Sequence, residues 1–282
     1  MRRSRELLEA VTPPIVVSAA RRARRRRRQT PEWEYVPEGW ARADADIRGW
    51  DVESVVDAYR AKLPAFREAM SGAGPLALAT SAAVPMGEPS LTEQNQILAF
   101  AYAVSLASRR TDRVSILDWG GGVGYFSLLS RALLPDDVAI DYHCKDVPLV
   151  CATGRELLPE ITFWTDDSCL DREYDLVFAS SSLQYSRPWR DVVAALARAT
   201  GRCLFVTDVP IVTRSDSFVV LQRADHYEFE TEYLSWVFNR GELLEVAHGA
   251  GMTLEREFLL GLKASVAGAP EQNETRAYLF RR

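Results

Sequence analysis

Residues Ile116–Phe126 read ILDWGGGVGYF, and four of the five positions from Gly120 to Gly124 are glycine. They stand between an apolar run, Val114–Trp119, and an apolar helical pattern that starts at Tyr125. A glycine-rich surface loop is the ordinary alternative, but such loops seldom join two apolar elements. Glycine takes φ > 0 without strain and has no side chain, so a ligand can lie directly on the backbone. The first N–H groups of the helix beyond are unpaired and face the same place. In an open parallel sheet, ligands bind in the crevice outside the carboxyl ends of the strands. The first strand–helix turn sits there.

Outward from the turn, strand and helix patterns alternate. Helix Tyr125–Leu134 is stopped by Pro135, and Val138–Cys144 is the second strand. Pro148 suits the first turn of a helix running to about Leu158. Ile161–Trp164 and Tyr174–Ala179 are the next strands. Trp189–Thr200 is a helix closed by Gly201, and Cys203–Thr207 is strand five. Asn239 with Glu242 three residues on forms a capping box. Met252–Leu260 and Thr275–Arg282 then read as the last two strands. The pattern predicts an α/β fold with a doubly wound, mostly parallel, seven-stranded Rossmann-like sheet over residues 111–282.

Residues 31–110 read as an N-terminal helical cap. Val52–Met70 is a helix that Pro64 kinks or ends. Ser71–Pro89 is a loop, and a second helix starts at Leu91. Trp33, Tyr35, Trp40 and Trp50 suit either ordinary packing of this cap or a wall over a flat, hydrophobic acceptor.

Charge is unevenly placed. Residues 1–30 carry ten Arg and two acids, a balance of +8, and the remainder carries 24 basic and 37 acidic residues, or −13. We expect residues 1–30 to be a disordered tail, in which Arg21–Arg28 is a solvated run or a peripheral contact for an anionic partner. The acidic body argues against a specific nucleic-acid interface. No apolar run approaches the ~20 residues of a membrane span. Ile15–Ala20 has its positive charge after it, the wrong order for a secretory signal. Cys144, Cys151, Cys169 and Cys203 lack CxxC spacing and read as reduced thiols of a cytoplasmic protein.

The glycine spacing narrows the ligand. The dinucleotide fingerprint G-x-G-x-x-G would put its third glycine on Tyr125, and no P-loop lysine follows. The stretch fits D-x-G-x-G-x-G instead, on Asp118, Gly120, Gly122 and Gly124. A ribose-binding acid is expected at the end of strand two. Asp141 falls mid-strand, where its charge would be buried at a cost, so Asp146 in CKDVP is the candidate. A plain N-cap acid for the following helix is the alternative.

This stretch resembles motif I of the class I S-adenosylmethionine (SAM)-dependent methyltransferases. GW…GWD near the N-terminus, CKDVP, SSLQY, LQ at 221–222 and VFNR make the resemblance closer to a bacterial group of small-molecule methyltransferases. The resemblance covers roughly residues 31–282. It implies that Asp118 and the glycines hold the methionine moiety of SAM, with S-adenosylhomocysteine (SAH) as product. It implies an adenine contact from Asp167, with Asp166 beside it, and a methyl-transfer mouth at Ser180 and Ser181, whereas Asp175 is structural. For an oxygen acceptor it places the base at His226. Asp208, Gln184 and Tyr185 compete for the acceptor, while His143 and His248 are structural. Asp208 with Asp216 is too little for a metal site, and none is expected.

The function expected is methyl transfer to a small molecule, at oxygen, by a protein compatible with a homodimer. A non-catalytic scaffold that uses its Arg block, and an enzyme that uses SAM for a non-methylating reaction, are the rival readings.

Overall fold

Apolar strand runs separated by helices build the doubly wound sheet that the sequence predicts, and a further group of strands extends it. The computed structural model describes residues 31–42, 49–80, 89–224 and 231–282. Residues 32–282 form one compact unit. In chain order the elements are β1 (Trp33–Tyr35), α1 (Glu53–Ser71), α2 (Leu91–Ala107), β2 (Arg113–Trp119) and α3 (Tyr125–Leu133). Then come β3 (Ala139–Lys145), α4 (Pro148–Leu157), β4 (Thr162–Trp164), β5 (Tyr174–Ser180), α5 (Trp189–Arg198) and β6 (Thr200–Val212). The chain ends with β7 (Phe218–Arg223), β8 (Glu232–Asn239), α6 (Arg240–Gly249), β9 (Thr253–Leu259), β10 (Val266–Ala267) and β11 (Glu274–Arg281).

Seven strands run in the order β4-β3-β2-β5-β6-β11-β9. The first five are parallel, and β11 lies antiparallel between β6 and β9. The order reverses next to β2, so the crevice opens at the carboxyl ends of β2 and β5, where the glycine turn stands. Both faces of the sheet are covered, which is why its central strands are apolar on both sides. One face packs on α1, α2, α3 and α4, and the other on α5 and α6. Phe100, Phe126, Phe178 and Phe205 form a run of ring contacts at 4.6–5.8 Å that ties α2 and α3 to the sheet. Each such pair adds about 0.5–1.5 kcal/mol beyond the area it buries.

Several expectations are corrected. α1 is continuous through Pro64, which lies on its exposed face while Val56, Leu63 and Phe66 are buried. There the carbonyl deprived of its N–H partner can be solvated, so packing outweighs the proline penalty. α5 ends with its cap at Ala199, and Gly201 belongs to β6. Residues Trp33–Tyr35 are a strand rather than part of a helical cap. β1 pairs with β7 and β10, β7 with β8, and β8 with the last two residues of β6. These four strands were not foreseen. Tyr35 and Trp40 pack on them, edge to face on Phe218 and tilted against Trp236.

The path of β6 positions the site. It pairs with β5 through Thr207 and with β8 from Ile211. Between the two stretches its register on β11 shifts, and Asp208 takes φ +56°. Such a bulge bends the strand and re-aims one side chain. Here that side chain is Asp208. Among the described residues, no helix is long and apolar enough to cross a membrane.

Candidate functional site

The glycine turn begins where β2 ends, and its backbone is tied to the next strand. Gly120 donates its N–H to the Lys145 carbonyl at 2.7 Å. Gly122 has φ +62°, and a β-carbon there would collide with the Tyr59 hydroxyl, reaching over from α1. Gly124 is the N-cap of α3 with φ +87°, and a β-carbon there would meet Ile161 Cδ1 at 2.7 Å. The two glycines therefore differ in purpose. Gly120 and Gly122 line a cavity of about 260 Å³, whereas Gly124 packs against the sheet and is not on the cavity wall.

Two carboxylates flank the turn. Asp118 is wholly buried at the end of β2. Its Oδ2 accepts the Tyr142 hydroxyl at 2.7 Å, and its Oδ1 has no hydrogen-bond partner among the described residues. Burial pushes its pKa up to about 7, the Tyr142 hydrogen bond opposes the rise, and the Asp146 charge adds to it. Asp146 follows β3. Its Oδ2 accepts the Gly122 N–H and its Oδ1 the Val147 N–H, both at 2.7 Å. Burial raises its pKa against those two bonds. Asp146 is not the N-cap of α4: that position is Val147, and no side chain caps it. Instead Asp51, from the segment before α1, accepts the Leu149 N–H at 3.0 Å.

Asp141 keeps 28% of its side-chain surface, close to Arg113 and Arg172 at 3.3 and 3.4 Å. Its charge is thus solvated and paired, contrary to the expectation of a costly burial. It lies near the amino end of β3, away from the cavity.

The other wall comes from β5, β6 and the helices of the N-terminal segment. Gln96 donates to Ser180 Oγ at 3.1 Å, and Ser182 Oγ donates to the Trp119 carbonyl at 2.7 Å. Ser181, with φ +49°, donates its N–H to the Thr207 carbonyl, joining the ends of β5 and β6. Gln184 donates to Ser181 Oγ and to the Asp208 carbonyl. Burial pushes Asp208 up to about 6, a hydrogen bond with Ser181 opposes this, and the Glu93 charge adds to it. Tyr185 donates to Gln222 Oε1 at 3.0 Å. Trp50 packs edge-on against Tyr185 and stacks on Tyr233 at 4.4 Å.

The structure thus brings Asp118, Gly120, Gly122, Asp146, Ser180, Ser181, Tyr185 and Asp208 to one cavity. It does not bring Asp167 there. That residue is exposed and pairs with Lys145 at 3.2 Å, while Asp166 accepts the Ser168 N–H of a tight turn. His226 and Arg21–Arg28 lie outside the described residues. His143 is buried on β3, accepting Trp164 Nε1–H at 3.0 Å on Nδ1 and facing Asp141 with Nε2, and burial lowers its pKa. His248 is exposed near the end of α6. All four cysteines are buried and free. Among the described residues, no group of three or more His, Cys, Asp or Glu is placed to hold a metal.

Sequence reasoning missed Tyr59, Glu93 and Gln96 on the cavity wall. One signal was present: Glu93 and Gln96, three apart and so on one face, belong to the polar run Thr92–Gln96 that opens an otherwise largely apolar helix.

No protein-family model and no curated protein matches the chain. Similar solved structures include magnesium protoporphyrin IX methyltransferase from Synechocystis PCC 6803 with bound SAH, at 14% identity and TM-score 0.47, over 81% of this chain and 98% of that one. The likeness is one of fold. Mitomycin 7-O-methyltransferase is similar at 18% identity and TM-score 0.45, over 70% of this chain and 55% of that one. The CcbJ methyltransferase from Streptomyces caelestis follows at 12% identity and TM-score 0.45, over 66% and 88%.

Proposed function

We propose that this protein is a SAM-dependent methyltransferase acting at a hydroxyl of a small molecule, with Asp208 as the proton acceptor. One observation carries the reading. A side-chain-free turn, a buried acid with an unpartnered oxygen and a second acid at the next strand's tip converge on one cavity. SAM fits the chemistry of that cradle. Gly120 and Gly122 carry no side chains of their own, with Ser182 and Tyr59 packed against them; Asp118 Oδ1 lacks a hydrogen-bond donor among the described residues, and each Asp146 oxygen has a lone pair left for a hydroxyl. When bound, SAM supplies an electrophilic methyl group on a positively charged sulfur.

The protein's own part is orientation and proton transfer. Aligning two bound reactants is worth up to ~7–11 kcal/mol of barrier. The bond from Gln96 to Ser180 and the bond from Ser181 to Thr207 fix the wall against which an acceptor would rest. Asp208, with its pKa near 6, is largely ionised at neutral pH and remains basic enough to accept a proton. Trp50 and Tyr185 cover the cavity with apolar surface and so limit water. Calorimetric titration with SAM and SAH tests the reading, and an absence of binding by both would refute it.

A further inference from the structure

Among the described residues, four carboxylates line the cavity, those of Glu93, Asp118, Asp146 and Asp208, against one ammonium, that of Lys145. Lys145 is already committed, to Asp167 at 3.2 Å and to the face of Trp119. Asp118 and Asp146 belong to the glycine turn. Glu93 is on α2 and Asp208 at the bulge of β6, neither of them part of the glycine turn. Among the described residues, Glu93 Oε2 is buried without a hydrogen-bond partner, and so is Oδ1 of the wholly buried Asp118 on the same cavity. Glu93 and Asp208 are near enough for one charge to raise the pKa of the other.

We infer that the acceptor is a small molecule bearing a protonated amine, which Glu93 binds while Asp208 faces the reacting hydroxyl. The inference rests on the reading under Proposed function, because that reading assigns the glycine side to the cofactor. SAM carries a net charge of about +1 (sulfonium and ammonium against one carboxylate), so it offsets only part of the negative wall. A neutral or anionic acceptor would leave Glu93 Oε2 buried and unpaired, which is costly for a carboxylate. A protonated amine pairs with it through a charge-assisted hydrogen bond. The ring faces of Trp50 and Tyr185, which line the same cavity, tolerate a cation better than an anion. No proton is lost from the amine in this arrangement. Methyl transfer forms the new O–CH3 bond, breaks the S–CH3 bond and sends the hydroxyl proton to Asp208.

The test uses matched probes titrated into full-length protein saturated with SAH: tyramine against 4-ethylphenol, dopamine against 4-ethylcatechol, and 6-aminohexan-1-ol against hexan-1-ol. We expect the amine to bind about tenfold or more tighter than its neutral partner in at least one pair. In Glu93→Gln that preference should fall to about threefold or less, with SAH still bound and the thermal melt cooperative. Glu93→Asp should keep part of it. Equal or tighter binding of the neutral partners, a preference that survives Glu93→Gln, or no binding of any probe to the SAH-loaded protein overturns the inference. If SAH itself does not bind the wild-type chain, the proposed function fails, and this inference with it.

Discussion

The Tyr59 hydroxyl occupies the space that a β-carbon on Gly122 would need. A helix from the N-terminal segment thus closes directly on the glycine turn, and the two parts of the chain build one site. Gly122→Ala is therefore doubly unfavourable. It strains a residue at φ +62° by about 1–2 kcal/mol and displaces Tyr59. We expect SAH affinity to fall at least about tenfold with the far-UV spectrum unchanged. Calorimetry measures this, and unchanged affinity would place the site elsewhere.

Gly124→Ala should behave differently. Its β-carbon would press on Ile161 Cδ1 at φ +87°, away from the cavity wall. Overpacking of this kind costs about 1–3 kcal/mol of stability. The expected outcome is a lower denaturation midpoint, while SAH binds the folded fraction as it does the wild type. Chemical denaturation and calorimetry together separate the two glycines.

Asp208 sets a pH dependence whose sign follows from its environment. Its pKa is raised to about 6, so activity should climb as pH rises through 6 and Asp208 ionises. Asp208→Asn should lose most of kcat and that rising limb together. The stability consequence runs the opposite way. A carboxyl whose folded pKa lies above its unfolded value favours the folded state least once both forms are ionised, above about pH 6. At pH 7–8 the melting temperature of Asp208→Asn should therefore equal or exceed that of the wild type. A lower melting temperature there would show that the ionised carboxylate stabilises the fold.

Asp51→Ala removes the only side chain that meets the first N–H groups of α4 among the described residues. Loss of such a cap costs about 0.5–2 kcal/mol. Because α4 follows Asp146, we expect a modest drop in melting temperature together with weaker SAH binding. Asp51→Asn, which keeps an acceptor oxygen, should restore most of both.

Much of this was legible in the order of residues. Local spacing located the parallel strands, the helices between them and the Asn239 cap, because periodicity and capping are properties of neighbouring residues. Asp118, Gly120, Gly122 and Asp146 were legible for the same reason: each sits at a strand end that its own segment defines. Pro64 and Gly201 misled because a local preference for breaking a helix was outweighed by what the helix packs on, or by where the next strand begins. β1 and β10 were missed because the pairing of β1 with β7 and with β10 joins segments far apart in the chain.

The sequence by itself determined the sheet, its glycine turn and the two acids beside that turn, since a strand, a bend and a helix are encoded over a few consecutive positions. Tertiary structure alone decided that Tyr59, Glu93 and Gln96 face the same cavity, that Asp167 stays outside it and that Asp208 turns into it at a bulge. Those placements depend on which elements stack across the sheet and on how much water is left around each carboxyl. No stretch of neighbouring residues carries that information.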